Sequence, residues 1–304
     1  NQAYATGFLD CILSMPNANT SGSILLGGST VAHRYVERFD VKTIGACTNI
    51  STFFLNCISL QSVPLFNTAN VNNMSLMFFG CNSIQSIPLF NTANVTNMSN
   101  MFNNCQSIQS VPLFNTANVN NMSQMFFGCN SLKTVPLFDT TNVTNMFGMF
   151  NNCLVIQSVP LFNTANVNNM SSMFGNGFSL QSIPLFNTAN VTNMSTMFFN
   201  CNSLTSIPAL STAAITTTTG SDFTNFANNC NSLNRIQMIF ARTVNMSNCQ
   251  LSRNALVEIF NNLVDRTGTT TANINISNNW GALAGGLSLI DRDIALDKNW
   301  TITG

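Results

Sequence analysis

Residues 84–107 read IQSIPLFNTANVTNMSNMFNNCQS, and the chain repeats this phrase with little change. Proline recurs at 64, 88, 112, 136, 160, 184 and 208, a strict 24-residue period. A fixed period in this range is the signature of stacked repeats, and it is read before any helix or strand is assigned. Seven copies run from Cys57 to Thr212, with weaker ones at residues 48–57 and 223–239. A longer period lies above this one. Val-Asn-Asn-Met at Val71, Val119 and Val167 alternates with Val-Thr-Asn-Met at Val95, Val143 and Val191. The tails partly follow, with Phe-Phe-Gly at Phe78 and Phe126 and Phe-Asn-Asn at Phe102 and Phe150. The alternation points to a 48-residue pair as the recent unit of duplication.

Each copy carries two structural signals. Leu60, Val63 and Leu65 read as a short strand with Val63 and Leu65 on its buried face. Pro64 then points outward and removes one ladder donor, which predicts a short ladder near the proline. Val71, Met74, Met77, Phe78 and Cys81 follow at spacings of three and four, predicting an α or 3₁₀ turn with one apolar stripe, capped near Asn70. One strand and one helical turn cannot bury both faces alone, so copies must stack, each touching its neighbours. The fold class expected is an α/β solenoid, a leucine-rich-repeat-like right-handed coil of 24-residue repeats, capped at both ends.

Residues 1–47 read as an N-terminal cap or connector, 48–239 as the solenoid and 240–304 as a C-terminal α/β cap. In that cap, Leu256, Ile259, Phe260 and Leu263 have helical spacing behind a capping Ser252. Residues 265–268 read as a turn and 272–277 as a strand. Residues 289–296 read as a second helix and 300–303 as a last strand.

The repeat resembles the BspA-like family of leucine-rich repeats, in the subtype with Val-Thr-Asn-Met-Ser-x-Met-Phe-x-x-Cys. Residues 95–105 and 191–201 match that pattern, and the resemblance covers residues 48–239. It implies a solenoid and a role in adhesion or host recognition. Such proteins occur on bacterial and protist surfaces and in bacteriophage fibres and structural parts. The ending from Asp265 to Gly304 looks like the terminal cap of similar phage and marine bacterial chains, and Tyr4 to Pro16 like their connector. A phage context is therefore expected.

Composition narrows the function classes. Charged residues are 7% of the chain and the net charge is zero. Nucleic-acid binding rests on basic side chains neutralising phosphates, so it is not expected. An anionic membrane surface is not expected as the main partner either. No apolar run approaches the ~18 residues that span a bilayer, so membrane insertion is not expected. Roughly one residue in six is Asn, yet 25 Phe and 15 Met supply ample core. The start at Asn1, with no recognisable leader, reads as a segment of a longer or processed chain.

Catalytic constellations are missing from the repeats. The sole histidine, His33, lies before them, and Lys133 and Asp139 are the charges between residues 43 and 221. No nucleophile–base pair or carboxylate pair can be assembled from that set. Asp291, Asp293 and Asp297 read as a solvated face, since they lack the spacing of a calcium loop. Cys57, Cys81, Cys105, Cys129, Cys153 and Cys201 share one repeat position, with Gly177 filling the gap. A row of parallel side chains suits neither the disulfide torsion nor a tetrahedral metal, so a ladder of buried thiols is expected. The Asn-Thr-Ala-Asn turns read as local backbone caps. No enzyme activity, cofactor or metal is expected.

The rows expected to face outward are Gln61, Ser62, Thr68; Gln85, Ser86, Thr92; Gln109, Ser110, Thr116; Gln157, Ser158, Thr164; and Gln181, Ser182, Thr188. These neutral polar rows are the candidate ligand-facing positions. The function expected is a non-enzymatic adhesion or receptor-recognition module on a virion or cell surface, binding a polysaccharide or surface protein. The alternative is a structural spacer or assembly subunit, for which a homo-oligomer or larger assembly is the expected state. The regular threonine row also raises an ice-binding surface.

Overall fold

The computed structural model describes residues 10–14, 38–212, 214–215, 223–283 and 285–304. His33 lies outside the described residues, as does the expected N-terminal cap or connector apart from residues 10–14 and 38–47. Two compact units are present. One is Asn1–Val143 with Asn152–Val155, the other Thr144–Asn151 with Ile156–Gly304.

The first unit begins with β1 (Asp10–Ser14) and β2 (Arg38–Thr43), paired in parallel. Coils of 24 residues follow. Parallel bridges join Asn49 to Asn73, Asn73 to Asn97 and Asn97 to Asn121. The second unit has the same bridges from Asn145 to Asn169 and Asn169 to Asn193. The bridges thus fall in the Val-x-Asn-Met segment, not before the proline where the strand was expected.

The segment expected to be a helical turn is something else. The N–H groups of Met74, Leu76, Phe78 and Gly80 donate to Asn97, Ser99, Met101 and Asn103 carbonyls of the next coil at 3.0, 2.9, 2.9 and 2.8 Å. The intervening N–H groups of Met77, Phe79 and Cys81 close local turns on the carbonyls three residues back. Alternate peptide planes therefore point along the stack and within the coil. A helix would spend every N–H inside itself and leave neighbouring coils unjoined. The alternation needs a positive φ at every fourth residue, as at the third position of a type II turn. Leu76 and Gly80 have φ of 57° and 72°, Asn100 and Asn104 56° and 59°, Gln124 and Gly128 53° and 69°. The apolar stripe is nevertheless as expected, because Val71, Met74, Met77, Phe78 and Cys81 are all buried.

This geometry accounts for the alternating Phe-Phe-Gly and Phe-Asn-Asn tails of the first coils. A Cβ on Gly80 would lie 2.5 Å from Oδ1 of Asn56, and one on Gly128 would collide likewise with Asn104. An asparagine in one coil thus fills the space that a glycine leaves in the next. Further on, two asparagines meet and bond instead. Asn200 Nδ2 donates to Asn176 Oδ1 at 2.8 Å, and the ladder continues through Asn229, Asn248 and Asn278.

The region around each proline also departs from simple alternation. Val63 and Phe66 are buried, but Leu65 is exposed. A tight turn explains the inversion. The N–H of Phe90 donates to the Pro88 carbonyl at 2.9 Å, and Phe114 and Phe138 repeat the bond to Pro112 and Pro136. Such a γ-turn centres on the leucine and turns it outward while carrying the phenylalanine in. The inward set Leu60, Val63, Phe66 is thus spaced by three rather than two.

Proline does limit the ladder as expected. Gln85 N–H bonds the Gln61 carbonyl at 3.0 Å, and Pro88 has no N–H to extend the pairing. In the second unit Gln237 stands where proline would. Its N–H donates to the Ile207 carbonyl at 3.0 Å. There β3 (Ser206–Ile207) and β4 (Arg235–Ile236) form a true parallel pair.

The chain then passes through β5 (Val244–Asn245), α1 (Arg253–Asn262), β6 (Ala272–Asn275), a 3₁₀ turn at Trp280–Ala282, α2 (Leu289–Leu296) and β7 (Trp300–Thr303). The parallel sheet has the order β5-β6-β7. Both helices and both later strands fall where their spacing placed them. Ser252 caps α1 by accepting from the Ala255 N–H, and Ser288 with Asp291 forms a capping box on α2. Trp300 is buried, and its indole donates to the Val264 carbonyl at 2.9 Å. Coil chemistry also persists here, since Asn245 and Asn275 accept from the Ser247 and Ser277 N–H groups as Asn97 does from Ser99.

Left-handed backbone in a residue other than glycine or asparagine costs about 1–2 kcal/mol. Gln124 holds φ 53° where the preceding copy has Asn100. Gln124→Asn should therefore raise unfolding stability by about 1 kcal/mol, read by denaturant titration. An unchanged or lower midpoint would show that the turn carries no such strain.

Candidate functional site: a polar face with an exposed leucine row

The chain crosses one surface of each coil between the glutamine before the proline and the asparagine after it. In the first unit, Gln61, Ser62, Leu65 and Asn67 are exposed, and the two following coils repeat the pattern at Gln85 to Asn91 and Gln109 to Asn115. The prolines are half-buried between them. Gln157, Ser158, Leu161 and then Gln181, Ser182, Leu185 are exposed in the second unit. The expected glutamine and serine rows therefore do reach solvent.

The threonine row does not, and this corrects the expectation. Thr68, Thr92, Thr116, Thr140, Thr164 and Thr188 are each about 1% exposed. The hydroxyls of Thr68, Thr92 and Thr116 donate at 2.8 Å to the Asn91, Asn115 and Asp139 carbonyls of the next coil, and those of Thr164 and Thr188 bond Asn187 and Ser211 in the same way. A carbonyl at the coil's edge needs a donor, and the threonine supplies it from inside. A buried row cannot meet ice, so the ice-binding alternative loses its surface.

In its place stands a row that simple alternation missed. Leu65, Leu89, Leu113 and Leu137 of the first unit are 59–64% exposed, and Leu161 and Leu185 of the second are 60% exposed. The usable signal was the period of three in Leu60, Val63 and Phe66, which leaves Leu65 off the buried stripe. Large apolar groups scattered on a surface need no explanation, but a contiguous row marks an interaction surface.

Lys133 and Asp139 sit on this face, where other coils have glutamine and asparagine, with Leu137 between them. Lys133 Nζ donates to Gln109 Oε1 at 2.9 Å. Asp139 Oδ1 accepts from the Thr141 N–H at 3.0 Å, which holds its carboxyl below the usual range. The asparagines beside the row have structural duties. Asn67, Asn91 and Asn115 accept from the N–H two residues on, while Asn94 and Asn118 donate to carbonyls of the previous coil.

The described cysteines with free thiols are buried. Cys81, Cys105, Cys129 and Cys153 are buried, and each thiol donates to the previous coil's Phe54, Phe78, Phe102 or Phe126 carbonyl at 3.0–3.1 Å. In the second unit Cys201, Cys230 and Cys249 donate to the Phe174, Phe198 and Ala227 carbonyls. Burial pushes the thiols of Cys81, Cys105, Cys129, Cys153, Cys201 and Cys230 up, Cys201 to about 12, so they stay protonated donors. Asp291 accepts from the Ser288 N–H and hydroxyl and from the Arg253 guanidinium, which together hold it near about 2. Among the described residues, no three His, Cys, Asp or Glu side chains cluster to hold a metal. No described helix is long and apolar enough to cross a membrane.

Residues 27–137 and 132–236 match the family described as "Mycoplasma protein of unknown function, DUF285". The chain belongs to that family. No curated protein sequence matches it. Among solved structures, a leucine-rich repeat protein from Bacteroides ovatus is similar at 14% identity, over 85% of this chain and 88% of that one, with a TM-score of 0.26.

The thiols give a pH dependence. An unfolded cysteine releases its proton at about pH 8.5, whereas Cys81, Cys105, Cys129, Cys153, Cys201 and Cys230 hold theirs to higher pH. Their contribution to stability is complete below about pH 8.5 and is lost as pH rises through the folded values, about 12 for Cys201. The melting temperature should stay flat from about pH 6 to 8 and fall above about 8.5, less steeply in Cys105→Ala. A melting temperature level to pH 11 would contradict buried protonated thiols.

Proposed function

We propose that the chain is a non-enzymatic recognition module, an adhesion or receptor-binding part of a virion fibre or cell surface. The observation that carries this reading is the polar, nearly uncharged face in which Pro and Leu recur in each coil and Gln and Ser in most, with Lys133 and Asp139 as its charges. Amides and hydroxyls there can exchange hydrogen bonds with a ligand, and the leucines can cover its apolar patches. A ligand whose own repeat matches the coil spacing gains many weak contacts together. A surface polysaccharide meets both requirements, since sugars carry hydroxyls and apolar C–H faces. A surface protein is the other partner class. Supporting context comes from the resemblance to BspA-like repeats, whose members are associated with adhesion. No catalytic step is assigned.

A second reading is an assembly subunit or spacer of a virion, filament or sheath. The exposed leucine row favours it, because solvent contact leaves that row unburied.

The test is binding of the fluorescently labelled chain to a panel of intact bacteria, with extracted surface polysaccharide as competitor. Recognition predicts saturable binding to some strains, reversed by polysaccharide or by protease treatment of the cells. The triple substitution Leu89→Ser, Leu113→Ser and Leu137→Ser should weaken that binding at least about tenfold without shifting the melting temperature. A folded sample that binds no strain would remove the recognition reading.

A further inference from the structure

We propose that the leucine row of the first unit pairs with the same row of a second copy of this chain, side by side and in register. The inference rests on the reading of this face as a binding surface, and it names the occupant.

The argument starts from two charges. Between residues 43 and 221, Lys133 and Asp139 are the charged positions. They lie in one coil, on opposite edges of the face, with the exposed Leu137 between them. The other coils of this unit carry glutamine and asparagine at the same places.

Two copies meeting face to face can be related by a two-fold axis along the stack or across it. With the axis along the stack, each coil faces its own copy and the two edges exchange. Lys133 then meets Asp139 of the second copy, and Asp139 meets its Lys133. With the axis across the stack, like rows stay together. Lys133 then meets glutamines or another lysine, and never an aspartate. Charge complementarity selects the first arrangement. It also fixes the register, because sliding by one coil sets Lys133 against a neutral asparagine such as Asn115. In register, Leu65, Leu89, Leu113 and Leu137 each meet their own copies, and glutamine amides face asparagine amides along both edges.

Such a contact has the anatomy of a self-complementary interface, with an apolar centre and a polar rim. Four coils about 4.8 Å apart and six residues of at most about 3.3 Å each, shortened by the turn at each leucine, give no more than roughly 400 Å² per copy. That is below the usual size for a stable complex, so the dimer is weak and concentration-dependent. A polysaccharide would use the leucines and amides equally well, but it supplies no partner for a lysine and an aspartate placed to exchange.

Sedimentation velocity of the full chain over roughly micromolar to millimolar concentration tests the pairing. The variants are Lys133→Glu, Asp139→Lys, the double exchange of both, and Leu137→Ser, each checked for an unchanged melting temperature. The wild type should pass from monomer to dimer. Each single charge variant sets two like-charged pairs across the axis and should weaken pairing about tenfold. The double exchange restores opposite charges and should recover most of the loss, while Leu137→Ser should weaken pairing without regard to salt. A wild type that stays monomeric throughout overturns the pairing, as do single charge variants that pair as tightly as the wild type. The cell panel keeps the two ideas apart. A monomer that binds cells saturably removes the pairing and retains recognition, whereas a chain that neither pairs nor binds removes both.

Discussion

Every second peptide group in the turn segment must aim its N–H along the stack, and much of the coil's sequence follows from that requirement. Met74, Leu76, Phe78 and Gly80 satisfy it by bonding the next coil, while the groups between them close local turns. The backbone can alternate in this way only if it enters left-handed conformation twice per coil. Asparagine and glycine do so at least cost, which is why they fill many of these positions. Further asparagines hold the coil's corners through side-chain caps, as Asn73 does for Ser75 and Asn67 for Ala69. The abundance of asparagine is therefore an account of backbone hydrogen bonds.

Stacking also turns each repeat position into a column. Phe78 and Phe102 stack at 5.6 Å and 3°, and Phe102 and Phe126 at 5.7 Å and 8°. Within the second unit, Phe150, Phe174 and Phe198 form a column of their own. Thiols, threonine hydroxyls and asparagine amides line up likewise, each bonding one coil to its neighbour. A charge at a repeat position would recur about every 4.8 Å and repel its neighbour by roughly 3 kcal/mol at a surface-like dielectric. This disfavours charge throughout the repeats and explains their neutrality. Lys133 and Asp139 escape the penalty because each occurs once. They consequently stand out on a surface where little else differs from coil to coil.

Much of this was legible in the sequence. The proline period gave the coil length, and the spacing of Val71, Met74, Met77, Phe78 and Cys81 gave the buried stripe. The first C-terminal helix was read from its apolar spacing and the Ser252 cap, and the second helix and the two later strands were placed too, whereas the Ser288 cap was not. Backbone direction was not legible. Spacings of three and four fit a helical turn and a chain of type II turns equally well, and only the fate of the amide hydrogens separates them. The γ-turn at Leu89 was hidden for a similar reason, because Pro-Leu-Phe looks like an alternating strand until one N–H doubles back. Thr116 was misplaced because its hydroxyl serves a carbonyl 23 residues ahead, which local pattern cannot reveal. The candidate face was thus half legible. Its glutamine and serine rows were found, its leucines were placed inside and its threonines outside.

The exchange of leucine for threonine on that face is the claim on which the functional reading depends. Maleimide labelling of the native protein, read by peptide mass spectrometry, tests it in two variants, Leu113→Cys and Thr116→Cys. The account predicts rapid labelling at position 113 and labelling at position 116 only after denaturation. Native labelling of position 116 as fast as position 113 would contradict it, and would return the threonines to the surface.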